Sequence, residues 1–529
     1  MKNHICRRVT ALLAICGLAA AQAHATTLAA GDIAIVGMNC TNPDTVTIVP
    51  LVNLDCGTVF TLTDNGWLSA GGFRGPSEGT LQFTAPSDIP AGTILAWSGT
   101  GKTTNSASEG FAAGSSNWSL SSSSDQIFIV NGGTSAVTNA TPASLLIYGL
   151  YGNTLGATWD ADATSASTSA QPSSLSLTFA PVFQGANGAY AGTTTAASKL
   201  TWQSRFATTA GGNWTVNTNA QGQVAQPSGS YCVVSNLVWN RSVNSTWDTT
   251  SSNKNFSDGT NTTWFNSSDN VLFGDAGVGA VSVAAGGVTA GTVTVANTTG
   301  TYAFSGGSLS AQSLTKNGAG EASLADNGSA SSLTINDGSL VIGGSLATTS
   351  VTVSNGRLQL GRDNAIADTV HLTLNAGVLA AANHAASFAD LTNTGLSTLD
   401  LGLGSTKSVL HIGDSHGISW TGTLIIANWN GSSTGGSGDQ ILFGDSATGL
   451  SANQVAQILF LNPIIDGVAQ SQDFSASILG TGEIVATTAV PEPQTWATLL
   501  GGIGLLVFWS RIHRARRLVA FVKATGSLH

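Results

Sequence analysis

Charge is scarce in this chain: Asp, Glu, Lys and Arg make up 9% of 529 residues, with 18 basic against 28 acidic groups. Eight of the basic residues (Lys2, Arg7, Arg8, Arg511, Arg514, Arg516, Arg517 and Lys523) lie in the two terminal segments. Residues 26–489 therefore hold 10 basic and 27 acidic side chains, a net charge of −17. Such a surface repels phosphate backbones, so no nucleic-acid partner is expected. Helix-forming material is scarce too. Gly, Ser, Thr, Ala and Asn dominate, which suits an all-β protein whose outer faces carry small hydroxyl residues. Cysteine is rare: Cys6 and Cys16 lie in the first segment, leaving Cys40, Cys56 and Cys232.

Long apolar runs are confined to the ends. Lys2, Arg7 and Arg8 precede the run Val9 to Ala21, and Ala23-His24-Ala25 places small residues at the two positions a signal peptidase reads, so residues 1–25 read as a signal peptide. At the other end, Pro491-Glu492-Pro493 precedes the 16-residue run Thr495 to Ser510, followed at once by Arg511, Arg514, Arg516 and Arg517. An apolar helix closed by arginines inserts in a bilayer with its charged end in the cytoplasm. This run falls short of the ~20 residues that span a bilayer comfortably. The tripartite tail (490–517) resembles the PEP-CTERM sorting signal. That resemblance implies transient inner-membrane insertion, removal of the helix by an exosortase-type protease, and delivery to the cell surface or beyond. Residues 518–529 extend past the point where tails of that family stop. A permanent tail anchor is the alternative. An exported chain meets an oxidising compartment, where Cys40–Cys56 is the favoured disulfide, with Cys232 open as a partner for either.

From Leu28 to Ser235 apolar alternation is broken by turn dipeptides. Asp32–Gly37, Thr45–Val49, Thr58–Thr63, Thr93–Trp97 and Gln126–Val130 read as strands separated by Asp64-Asn65-Gly66, Gly71-Gly72 and Pro90-Ala91-Gly92, which predicts a β-sandwich. Gly31 to Gly37, Asp44, Gly57-Thr58, Leu62 to Trp67, Glu78-Gly79-Thr80 and Ile89 to Thr93 resemble a lamin-tail-like module. The resemblance covers residues 26–235 and implies an immunoglobulin-like sandwich used for binding, with no catalytic residues.

A tryptophan-rich lead-in (Trp239, Trp247, Trp264) opens the next region. Four nine-residue segments then align without gaps, starting at Ala280, Ser332, Ser350 and His371, with apolar residues at positions two, four and nine and Gly at position seven. Alternation puts the apolar pair on one strand face, and a Gly with φ > 0 turns the chain into the next strand. The last three start 18 and 21 residues apart, about one coil of a parallel β-helix. With Leu314 to Gly320, the pattern resembles the autotransporter-associated β-strand repeat, assigned to 236–430. Residues 431–489 read as final coils and a cap, with a Gly/Ser-rich link over Trp429 to Asp439 and a serine-capped helix over Ser451 to Phe460. A single hydrophobic helix ends this all-β chain.

Several motifs invite chemistry. Ser98 to Thr103 contains Gly-Lys-Thr, but Ala96 stands where a phosphate loop needs its first glycine, so a hairpin turn is expected. Gly435 to Asp439 resembles a calcium-binding glycine repeat that occurs once, and reads as linker. His411, Asp414 and His416 could ligate a metal but lack zinc-site spacing. Asp32, Asp44, Asp55, Asp64 and Asn65 offer hard oxygens that would suit calcium, against a default of solvated turns. Trp67 and Trp97 would stack on sugars if exposed, whereas core packing is the default. No catalytic constellation stands out, and the expectation is a non-enzymatic, structural or adhesive surface protein associated with extracellular polysaccharide. A polysaccharide-acting enzyme on a β-helix is the rival.

Overall fold

The computed structural model describes residues 25–75, 78–100, 103–112, 118–209, 212–218, 222–404 and 406–489. The signal peptide with Ala23, and the whole sorting tail with Pro491, Glu492, Pro493 and its arginines, lie outside the described residues. Among those described, no helix is long and apolar enough to cross a membrane. The chain divides into two compact units that meet in sequence at Ser235/Asn236.

The first unit holds two six-stranded sheets. One runs in the order Trp214–Asn217, Asn187–Tyr190, Ile33–Asn39, Asp44–Pro50, Leu95–Thr100, Thr103–Ala107; the other in the order Val182–Phe183, Leu146–Asn153, Ser124–Asn131, Val59–Thr63, Thr80–Thr84, Phe111–Ala112. Pairing is antiparallel except between Leu146–Asn153 and Val182–Phe183. Ile33, Ile35, Val46 and Ile48 from one sheet and Phe60, Leu62, Ile127 and Leu150 from the other share one buried cluster. The second sheet is also covered on its outer side. Trp67, Phe73, Phe128, Val130 and Leu146 form a separate cluster beneath Leu175 and Ala180, so the strand Leu146–Asn153 is buried on both faces.

The second unit is a parallel β-solenoid of about seven turns. In one sheet the row Val271, Val293, Leu314, Leu333, Val351, Leu372, Leu391 points inward, each residue paired in register with the next. Beside it Thr294, Thr315, Thr334, Thr352, Thr373 and Thr392 form an outward row with the same register. One strand therefore supplies both faces, and each aliphatic side chain it buries stabilises the stack by roughly 1.5–3 kcal/mol. Trp239, Trp247 and Trp264 are buried at the start of the unit. At the far end the parallel ladder runs on past residue 430 to Ile458–Leu461, where the antiparallel hairpin Phe474–Ile478/Ile484–Ala489 closes it.

Four expectations need correction. The Ala280 segment sits in the other sheet, pairing with Ala303, whereas Ser332, Ser350 and His371 align with one another and with Thr292, Ser313 and Asp390. The Ser313 copy departs from the pattern at positions four, seven and nine, held by Lys316, Ala319 and Glu321. The left-handed residue falls on Gly338 in one copy but on Asn355 and Ala376 in the next two. Gly377 is instead required by close approach, since a Cβ there would lie 2.4 Å from the Val353 carbonyl oxygen. The predicted helix is only Ala452–Ala456, capped by Ser451 and Gln454, because Ile458 and Phe460 are drawn inward as strand residues. The presumed link is anchored: Trp429 is buried against Phe460, and Asp439 accepts the Ser408 and Asn430 N–H groups at 2.9 and 2.8 Å.

Candidate functional site

Antiparallel pairing of Ile33–Asn39 with Asp44–Pro50 sends successive turns to opposite ends of the first unit. Cys40 follows the far end of this hairpin and Cys56 comes after the chain has returned, about 20 Å of strand away. All three cysteines are free, with Cys40 buried and Cys56 and Cys232 exposed. The Cys40–Cys56 pairing is therefore overturned, since a disulfide needs Cα atoms within about 7 Å. Burial pushes the Cys40 thiol up, and the Asp125 and Asp44 charges push it further.

The same geometry separates the proposed calcium ligands. Asp32 lies at one end, paired with Lys199 at 2.5 Å. Asp55 shares that end, where Leu51 N–H meets the Asp32 carbonyl. Asp44 and Asp64 lie at the other end, tied to one segment: Leu120 N–H donates to Asp44 at 2.9 Å and Ser119 N–H to Asp64 at 3.0 Å. Asp125 joins them there and accepts Ser121 N–H at 2.6 Å. Burial, partly offset by the Leu120 bond, pushes Asp44 up to about 6. Burial raises Asp64 to about 8, with Glu78 adding repulsion, and Asp125 is raised by burial and by Asp64. Among the described residues no three His, Cys, Asp or Glu side chains converge on a metal. These carboxyls are bound by backbone donors, and a calcium site through Asp32, Asp44, Asp55, Asp64 and Asn65 is not assembled.

His411, Asp414 and His416 do not converge either. His411 faces outward from its strand, and Asp414 accepts the His416 N–H at 2.9 Å in a local turn. Asp414 and His416 instead border an open recess of about 590 Å³ together with Asp390, whose carboxylate holds His371 Nδ1 at 2.7 Å. Thr100 pairs with Thr103 across an antiparallel hairpin, so no helix follows the Gly-Lys-Thr motif.

Trp67 and Trp97 are each 3% exposed and are core residues. Among the described residues the one tryptophan that is not fully buried is Trp159, which sequence reasoning missed. Gly149 stands opposite Phe128, where a Cβ would come within 2.8 Å of the Phe128 ring. The space left lets Trp159 lie flat on Phe128 and Tyr151, at centroid distances of 5.5 and 5.1 Å, while its Nε1 donates to the Ala180 carbonyl at 3.0 Å. The partly buried indole borders a cavity of about 560 Å³ with Thr158, Asp160, Gln171, Leu177 and Pro181. Asp160 is fixed by the Tyr151 hydroxyl at 2.5 Å and by Ser169 N–H at 3.2 Å. The one signal available beforehand was Thr158-Trp159-Asp160 standing in a turn-rich stretch with no strand alternation to bury it.

Compared with protein-family models, with curated proteins and with solved structures, the chain shows no match.

Proposed function

We propose that this is an exported, exosortase-processed protein of the cell surface or extracellular matrix, with a structural or adhesive role among polysaccharides. Its first unit is read as an immunoglobulin-like, lamin-tail-like binding sandwich and its second as an autotransporter-associated stalk. The observation that carries the reading is the tail itself: Pro491-Glu492-Pro493, an apolar run too short for a durable anchor, and four arginines. The build of the rest is consistent with it. A register-matched solenoid with outward hydroxyls is a spacer whose stability comes from neighbour contacts, and the low-charge acidic surface suits life outside the cell. Mass spectrometry of the mature protein tests the reading. Cleavage after Ala25 and loss of the run from Trp496 onward are expected; an intact Trp496–Arg517 segment on the surface protein means a permanent tail anchor instead.

The recess on the solenoid favours one rival. Asp390 and Asp414 border the same space, and paired carboxylates are what glycoside hydrolysis uses. Release of reducing ends from exopolysaccharide, lost in Asp390→Asn, would establish the enzyme.

A further inference from the structure

We propose that the cavity beside Trp159 binds a neutral, pyranose-containing glycan. The inference deepens the polysaccharide association proposed above by naming a site and a ligand class. A pyranose has an apolar face of axial C–H groups and an equatorial rim of hydroxyls, so its binding site needs a fixed aromatic plane, an apolar wall and acceptors at the edge. All three are present. The plane is Trp159, whose rotation is blocked by Phe128 and Tyr151 behind it and by the Nε1 bond to Ala180. A preformed aromatic loses little entropy on binding. Leu177, 62% exposed, and Pro181 provide the wall.

The acceptors are side chains only partly used by the protein. Asp160 spends Oδ2 on Tyr151 and Ser169, and among the described residues no hydrogen bond uses its Oδ1. Gln171 donates Nε2 to the Leu175 carbonyl at 2.9 Å, and its Oε1 likewise accepts nothing. The Thr158 hydroxyl also has no partner among the described residues. A rim of oxygens without donors selects a ligand rich in O–H groups. Charge narrows the class. Among the described residues no Lys, Arg or His borders the cavity, and Asp160 sits in it, so uronates and sulfated sugars are repelled. The volume of about 560 Å³ lies inside the ~300–1,000 Å³ range of small-ligand pockets.

The test titrates the purified protein with cellotetraose, xylotetraose and mannotetraose, and with tetragalacturonate as the charged control, by calorimetry and tryptophan fluorescence. At least one neutral oligosaccharide should bind saturably. Trp159→Ala should abolish binding, and Gln171→Ala and Thr158→Ala should each weaken it by roughly tenfold. Thr158→Ala changes an exposed group and should leave thermal unfolding unaltered, so it remains informative if Trp159→Ala or Gln171→Ala disturbs the fold. Absence of binding by all three neutral sugars overturns the proposal, as does binding indifferent to Gln171→Ala and Thr158→Ala, or tetragalacturonate binding as tightly. A protein with processed termini that binds none of them would refute this site while leaving the export reading standing.

Discussion

Raising the pH should destabilise the first unit well before any base is lost. Asp44 and Asp64 are held at about 6 and about 8, against an ordinary 3.8, because burial disfavours their charged forms. The native state therefore keeps protons that the unfolded chain has released, and stability falls as pH climbs through the interval between the unfolded and folded values. Between pH 5 and pH 8 this costs on the order of a few kcal/mol for the two groups together, in the same direction for each. For a unit of this size, that is a drop in Tm on the order of 10 °C. Differential scanning calorimetry at both pH values measures it. Asp64→Asn should reduce the slope, with Asp44 and Asp125 carrying the remainder, and the transition whose slope falls is thereby assigned to the first unit. A Tm that is flat or rises from pH 5 to pH 8, or a slope unchanged by Asp64→Asn, would refute the reasoning.

Three further outcomes are expected. Leu372→Ala, in the middle of the inward row and 0% exposed, should destabilise the solenoid by roughly 2–5 kcal/mol in denaturant titration, while Thr373→Ala beside it stays within about 0.5 kcal/mol. Gly377→Ala should also unfold the solenoid early, since its Cβ would meet the Val353 carbonyl at 2.4 Å, whereas Gly417→Ala, with open space around it, should be tolerated. Iodoacetamide should label Cys56 and Cys232 in the native protein and Cys40 only after denaturation; a Cys40–Cys56 bridge found by peptide mapping would contradict the fold.

The solenoid was readable because its signal is local and repeated. Leu333, Val351 and Leu372 announce a buried row on their own, and parallel stacking multiplies the signal at every coil. Assigning the Ala280 segment to a sheet was not a local matter. Its apolar alternation equals that of the Ser332 segment, and only pairing with Ala303 places it on the other side. Lys316 misled for a different reason: its stem fills the aliphatic position while its ammonium reaches the Asn317 and Gly318 carbonyls at 2.7 and 2.6 Å. In the first unit, strands were legible but partners across sixty or more residues were not. Whether Trp67 or Trp159 is buried depends on what covers the second sheet, and the covering segment around Leu175 carries no periodicity. The acidic end joins Asp64 to Asp125, an association set by sheet order and invisible to spacing.

The register of the solenoid also has a mechanical meaning. Its hydrogen bonds link each coil to the next, along the axis of the stack, and cross between strands with the slant of a parallel ladder. A pull along that axis loads these bonds one row at a time, so the coils should peel off in succession at modest force instead of failing together. Each released coil, such as the one from Ser332 to Ser350, would pay out about 60 Å of chain. A stack built this way lengthens under load and can re-form coil by coil when the load is removed.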